Sequence, residues 1–168
     1  GLSAAGAEAV MRRHIGVCYD VCHAAVEFED PQASSARLRA EGILIGKLQL
    51  SSALRVAPFD AASARQLAAF AEPVYLHQAV QKENGSLTRF VDLPQALAAG
   101  GAAAGAELRV HFHVPVFLEQ MEHFGTTQAF LAQILAQHRA EPISRHLEVE
   151  TYTWDVLPGE ARGPGTLV

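Results

Sequence analysis

VCYDVCHAAVEFEDP, residues 17–31, is the stretch that decides the fold, because a strand turns into a helix within it and polar residues mark the junction. The segment 14–20, HIGVCYD, is short and carries β-branched Ile15 and Val17, which is typical of a strand. Asp20 ends this apolar run, and His23 follows three residues later. One interpretation of this junction is that Asp20 caps the helix and His23 packs against it.

The composition is that of a globular protein of about one domain. Of the 168 residues, 49% are hydrophobic and 18% are charged, so the chain can bury a core. A net charge of -5 without a Lys/Arg cluster argues against a nucleic-acid partner. No apolar run reaches the roughly 20 residues that a membrane span needs, and no leader pattern opens the chain. We therefore expect a cytoplasmic protein that does not span a membrane.

Two cysteines, Cys18 and Cys22, stand in a C-x3-C spacing. One pair cannot supply a four-thiolate zinc site, and the spacing is not that of a redox C-x2-C motif. Because free cysteine is among the most buried residue types, both are expected to be small buried thiols.

Three further segments alternate polar with apolar residues in the manner of strands. They are 43–52 (ILIGKLQLSS), 107–117 (ELRVHFHVPVF) and 145–154 (RHLEVETYTW). Helical patterns lie between them, with Asp60 and Asp92 as predicted N-caps. The segment 72–91, which contains an Asn84-Gly85 turn signal, is predicted to be an inserted loop or hairpin. A β-α-β-α-β-α-β order favours parallel strands with helices packed outside them.

The polar strand faces need an explanation, because a parallel sheet covered on both sides should be apolar on both. In a closed parallel barrel one face of each strand points inward, and the strand ends open into a common mouth. That geometry would bring together Asp20, Gln49, His113 and Glu150. Carboxylates and imidazoles from separate strands are suitable ligands for a divalent metal ion of the Zn, Mn or Mg type.

Several separate blocks then resemble a known family. The blocks GVCYDVCHAAVEFEDP, GKLQLSSAL, YLHQAV, VHFHVPVF and HLEVETYTWDVLP resemble EboE-type metabolite-traffic proteins, within the xylose-isomerase-like, sugar-phosphate isomerase/epimerase superfamily of (β/α)8 TIM barrels. The resemblance implies an α/β fold in which residues 1–158 form the C-terminal half of a barrel, strands five to eight with outer helices, followed by a flexible tail at 159–168. Such a half would be a fragment of a domain, or would dimerise to close its edges.

The resemblance also implies a metal site. Asp20 and His23 match the superfamily's D-x2-H metal pair, and His111 with His113 matches its paired residues on the seventh strand. The last-strand glutamate ligand is Glu148 or Glu150. The metal set is therefore Asp20, His23, His113, Glu148 and Glu150, with His111 as a catalytic residue. An ion pair of the glutamate with Arg109 or Lys47 is the alternative.

The remaining candidates would act on the substrate. Lys47 could hold an anionic group or transfer a proton if burial lowers its pKa. His77 could close over the mouth as a lid or lie on a surface loop. The predicted substrate-binding residues are Gln49, His77, Arg109, Tyr152 and Trp154.

The function implied is traffic or processing of a small secondary-metabolite precursor, in association with membrane prenyltransferase-type proteins. One alternative is a metal-dependent sugar or sugar-phosphate isomerase/epimerase, in which the metal polarises a carbonyl while an inward group moves a proton. The other is a metal-free metabolite-binding barrel. The half-barrel alone is not expected to be an active catalyst.

Overall fold

The structure, a computed structural model, describes residues 1–100, 105–121 and 123–150. Its helices are α1 Ala4–His14, α2 Val21–Val26, α3 Pro31–Ala40, α4 Ala61–Leu67, α5 Leu93–Ala99 and α6 Gln128–Ala140, with a 3₁₀ helix at Ala68–Phe70. Its strands are β1 Val17–Asp20, β2 Ile45–Leu50, β3 Ser52–Val56, β4 Ala79–Glu83, β5 Ser86–Phe90, β6 Glu107–Val114, β7 Gly125–Thr126 and β8 Leu147–Val149.

The strands form two separate sheets. The first is parallel and has the order β1-β2-β8, with Asp20 beside Gln49 and Gln49 beside Glu148. The second is antiparallel and has the order β5-β4-β6-β3-β7. Because β2 and β3 are separated by Ser51 alone, the chain passes directly from one sheet into the other.

The expected C-terminal half of a (β/α)8 barrel, with four parallel strands, is therefore wrong. The segment 107–117 was predicted as the third parallel strand, but its strand β6 pairs antiparallel with β3 and β4. Only three of the described strands are parallel, and they form one small sheet. The predicted tail, 159–168, lies outside the described residues.

Local turns account for the antiparallel sheet. Asn84 and Gly85 both have positive φ, 49° and 82°, as a tight two-residue hairpin turn requires. The turn folds β5 back onto β4, and β4 then extends the sheet beside β6. The other neighbour of β6 is β3, in which residues 53–56 were not assigned to a strand from the sequence patterns.

Aspartate side chains begin four of the helices. Asp60 accepts hydrogen bonds from the backbone N–H groups of Ala62 and Ser63, and Asp92 accepts one from Leu93, so both predicted caps are confirmed. Asp20 and Asp30 cap α2 and α3 in the same way. Asp20 thus occupies the cap position that its sequence allowed.

Three hydrophobic clusters hold these elements together. Apolar residues of β6 pack on one face of the antiparallel sheet; this cluster includes Leu54, Phe59, Leu67, Phe70, Leu93, Leu108, Val110, Phe112 and Val114. The parallel sheet packs against α2 and α6 through Tyr19, Val21, Leu48, Leu50, Phe130 and Ile134. A small third cluster, Cys22, Val26, Ala53 and Val80, joins α2 to the other face of the antiparallel sheet. The candidate site lies at this junction.

Candidate metal centre

The carboxylate of Asp20 organises the start of α2. Its Oδ1 accepts hydrogen bonds from the backbone N–H of Cys22 at 2.8 Å, from the N–H of His23 at 3.2 Å and from Ser51 Oγ at 3.1 Å. Its Oδ2 accepts one from Gln49 Nε2 at 3.0 Å. These four bonds place the side chains that follow, so Asp20 acts on the site as a helix cap.

Cys22, His111 and His113 form a buried cluster. Their ligand atoms, one from each residue, all lie within 4.8 Å of one another, and all three residues are buried. The two histidines share a face of β6 because they are two residues apart in a strand, and Leu108, Val110 and Phe112 occupy the opposite face. The cluster could hold a metal ion, because thiolate and imidazole are both metal ligands.

His23 lies beside this cluster without belonging to it. Its ring centroid is 4.1 Å from that of His111, with the planes tilted by 32°. The rings of His111 and His113 are 5.0 Å apart and nearly perpendicular. His23 is exposed, whereas His111 and His113 are 6% and 1% exposed. His23 therefore connects the buried imidazoles with the protein surface.

Burial controls the protonation of the cluster. Desolvation, with smaller contributions from neighbouring histidines, lowers the pKa of His111 to about 3. Desolvation also lowers the pKa of His113 to about 4, although Asp20 opposes the shift. Burial raises the pKa of the Cys22 thiol well above its usual value. At neutral pH both imidazoles are thus uncharged, which is the form that binds metal, and the thiol must lose a proton to do so.

The predicted acidic ligands Glu148 and Glu150 engage other side chains. Lys47 Nζ donates to Glu148 Oε2 at 2.8 Å, which is the ion pair that the sequence left open as the alternative. Gln49 Nε2 donates to Glu150 as well as to Asp20. Burial, with Asp20 next, raises the pKa of Glu150. The hydrogen bond that Lys47 donates to Glu148 raises the pKa of Lys47, so the lowered pKa that proton transfer by Lys47 would require is not found.

Arg109 and His77 were both predicted to bind the substrate, but both side chains are hydrogen-bonded to other groups of the protein. Arg109 donates to Glu107 Oε1 at 2.8 Å and to the backbone carbonyl of Ala25 at 2.6 Å, and it is not paired with Glu148. His77 has no exposed surface, so it is neither on a surface loop nor a lid. Tyr152 and Trp154 lie outside the described residues.

His77 is nevertheless close behind the cluster. Its Nε2 lies 2.8 Å from Glu72 Oε1, and its Nδ1 lies 3.1 Å from the backbone oxygen of His111. Its ring packs on that of Phe112 with the centroids 4.7 Å apart. His77 therefore supports β6 at the position of His111.

Cys22 is the residue that sequence reasoning missed as a possible ligand. It was predicted to be a buried thiol, which is confirmed, whereas Cys18 is exposed and its predicted burial is wrong. The available signal was a thiol directly before His23 at a strand end, combined with an H-x-H pair on one face of another strand. Sequence alone did not indicate that α2 packs on that strand.

A groove of about 700 Å³ opens at His23, and none of the three cluster residues lines it. Asp20 and His23 line it, together with apolar side chains that include Val17, Ala24 and Leu38. Its size is within the range of small-molecule sites. A small molecule in the groove would contact His23, the exposed neighbour of the buried cluster.

Comparisons with protein-family models, with curated proteins and with solved structures find no match for this chain. Among the described residues, no helix has the length and apolar character to cross a membrane.

Proposed function

We propose that the protein binds one divalent transition-metal ion of the zinc class through Cys22, His111 and His113, and acts on a small metabolite that enters by the groove at His23. The observation that carries this proposal is the convergence of one thiol and two imidazoles in a buried space between α2 and β6. Residues distant in sequence meet there, and each offers a ligand atom to the same space.

The spacing of the ligand atoms is compatible with such an ion. Bonds of about 2.0–2.3 Å at tetrahedral angles place neighbouring ligands roughly 3.3–3.8 Å apart. The three atoms lie within 4.8 Å of one another, so modest side-chain rotation would complete the site. Two of the three ligands are neutral imidazoles at neutral pH, which favours uptake of a cation into a buried site.

The donor set favours zinc over magnesium or manganese. Soft thiolate and imidazole ligands suit zinc and its neighbours, whereas carboxylate and carbonyl oxygens suit magnesium and manganese. Of the candidate acids, Glu148 is paired with Lys47, and Asp20 is used as a helix cap. Of the Zn, Mn and Mg ions expected from the sequence, we therefore propose a zinc-class ion for this site.

Three protein ligands are the number found in catalytic zinc sites, where the metal serves as a Lewis acid toward a carbonyl or water. His23 would move a proton between a bound molecule and solvent, because it is exposed and contacts His111. Asp20 would orient His23 by holding the first turn of α2. Isomerisation or epimerisation of a carbonyl compound is the reaction class that these groups suit. A role in secondary-metabolite traffic, with prenyltransferase-type partners, is supported by the sequence resemblance alone.

Cobalt substitution tests the metal site. Metal-stripped protein titrated with Co²⁺ should develop thiolate-to-cobalt absorption at one equivalent, and Zn²⁺ should displace it. Cys22→Ser should abolish the thiolate band, and His113→Asn should weaken binding at least tenfold. Cys18→Ser is the matched control, because it removes the exposed thiol and should leave the titration unchanged. A band that persists in Cys22→Ser, or no uptake by the folded protein, would contradict the proposal and favour a metal-free binding protein.

The proposed chemistry has a separate test. Zinc-loaded protein is incubated with small aldoses and ketoses in deuterated water, and solvent deuterium at the carbon next to the carbonyl is followed by NMR. Incorporation that His23→Ala reduces, while zinc binding is retained, would support proton transfer at this site. Zinc binding without incorporation would reduce the proposal to metal-dependent binding.

A further inference from the structure

A second cavity, of about 440 Å³, lies between the α2–α3 connection, the antiparallel sheet and the first turn of α6. Three basic side chains from three different strands border it: Arg55 of β3, Lys82 of β4 and Arg109 of β6. None of them is among the candidate ligands of the metal centre. Cationic groups that converge on one cavity from separate strands need a reason, because like charges placed together repel one another.

One carboxylate partly compensates the two arginines. Glu107 Oε2 accepts a hydrogen bond from Arg55 Nη2 at 2.9 Å, and its Oε1 accepts one from Arg109 Nε at 2.8 Å. A single negative charge is thus shared between two guanidinium groups. The side chain of Arg55 remains 43% exposed, so it is open to a ligand in the cavity.

Phe28 places the other two cations beside each other. The Arg109 guanidinium carbon lies 3.9 Å from the centre of the Phe28 ring, and Lys82 Nζ lies 5.4 Å from it. The backbone of Phe28 has φ 57° because it follows the C-terminus of α2, where its N–H donates to the carbonyl of Ala25 and the N–H of Glu29 donates to that of Ala24. This helix ending fixes the backbone from which the ring extends beside Lys82 and Arg109.

Two acidic residues also line the cavity. The carboxylate of Asp30 accepts hydrogen bonds from the N–H groups of Gln32 and Ala33 at the start of α3. Glu29 lines the groove at His23 as well as this cavity. Among the described residues, neither carboxylate forms an ion pair with Arg55, Lys82 or Arg109, and the two arginines pair with Glu107. Three cationic side chains are thus matched by one paired carboxylate at this end of the cavity.

We infer that this cavity binds the oxyanion head group, phosphate or carboxylate, of a small organic molecule. Arginine offers a planar fork of donors that matches such groups, and the lysine adds a mobile charge. The volume of about 440 Å³ exceeds that of a phosphate group, and the rings of Phe28 and Phe130 supply apolar surface for the rest of the ligand. This site is separate from the proposed metal centre and does not depend on it.

Three probes with the same ring and different head groups test this inference: phenyl phosphate, phenylacetate and 2-phenylethanol. Binding is measured by calorimetry on protein stripped of metal by a chelator that is then removed, so that neither ion nor chelator competes. At least one anion should bind about tenfold more tightly than the neutral alcohol, because a hydrogen bond between charged groups replaces one between neutral groups. The stronger of the two anions identifies the head group.

Charge-matched variants locate the site. Lys82→Gln should weaken binding of the preferred anion about tenfold, and Lys82→Arg should restore it. Arg13→Gln makes the same charge change on the exposed surface of α1 and should alter the affinity by less than about twofold. Lys82 is exposed, so its variants are expected to fold, and measurement of their urea midpoints checks this. Anions that bind no better than the alcohol, or equal losses in Lys82→Gln and Arg13→Gln, would overturn the inference.

Discussion

The ring of His23 lies against the ring of His111, with the centroids 4.1 Å apart. The first residue is exposed at the start of α2, and the second is buried on β6. This contact joins the groove beside α2 to the buried thiol and imidazoles.

The two thiols should differ strongly in reactivity. Cys18 is exposed and Cys22 has no exposed surface. Burial raises the pKa of both, to a greater extent at Cys22. Because the thiolate is the reactive species, native metal-free protein should release one equivalent of chromophore rapidly from an aromatic disulfide reagent. Cys18→Ser should abolish this fast phase, and Cys22→Ser should keep it. Two fast thiols in the native protein would show that Cys22 is accessible.

The stability of the metal-free protein should fall between pH 6.5 and 5. Burial lowers the folded-state pKa of His111 to about 3 and that of His113 to about 4, against an ordinary value of 6.5. The unfolded chain therefore binds protons that the folded chain excludes. The stabilisation is complete above pH 6.5 and is lost toward the folded pKa values, by up to about 1.4 kcal/mol per pH unit for each histidine.

Urea unfolding at pH 7, 6 and 5 measures this slope. The window lies above the ordinary pKa range of carboxylates, so the histidines dominate it. His113→Asn removes one of the two groups and should reduce the slope, whereas replacing exposed His14 by Gln should leave it unchanged. A urea midpoint that is constant from pH 7 to 5 would contradict the burial of neutral imidazoles.

Removal of Glu72 should destabilise the fold. Its carboxylate accepts hydrogen bonds from the N–H groups of Val74 and Tyr75 and contacts buried His77, which in turn contacts the backbone of His111. Glu72→Ala should cost roughly 2–4 kcal/mol, because it leaves a buried imidazole without its acidic partner. Glu8→Ala, in an exposed pair on α1, should cost less than about 0.5 kcal/mol. Equal costs in denaturant titrations would refute a supporting role for Glu72.

Gly16, which directly precedes β1, and Gly46, within β2, should respond differently to replacement by alanine. A Cβ on Gly16 would lie 2.8 Å from the backbone oxygen of Leu44, whereas a Cβ on Gly46 would have its nearest neighbour at 3.8 Å. Gly16→Ala should therefore cost about 1–3 kcal/mol of unfolding free energy. Both changes restrict the unfolded chain to the same extent, so the difference comes from the clash in the folded state. Gly46→Ala should therefore cost less, because its Cβ meets no close neighbour. Thermal or urea unfolding of the two variants measures the two costs. A larger cost for Gly46→Ala would be inconsistent with the close approach of Gly16 to the backbone of Leu44.

Much of the local structure followed from the sequence because short-range interactions determine it. Asp60 and Asp92 cap helices through hydrogen bonds to residues one to three positions ahead, which a sequence pattern can display. The alternation of residues 107–114 placed His111 and His113 on one strand face. The Asn84-Gly85 turn signal likewise marks the hairpin between β4 and β5.

The tertiary structure decided which partner each strand chose and in which direction it runs. Alternation is the same in a parallel and an antiparallel strand, so nothing within 107–114 distinguishes them. Pairing with β3 and β4 made β6 antiparallel, and packing of α2 on β6 brought Cys22 to the two histidines. These contacts join residues far apart in the chain, and their free energy depends on the packing of the whole core rather than on any local pattern.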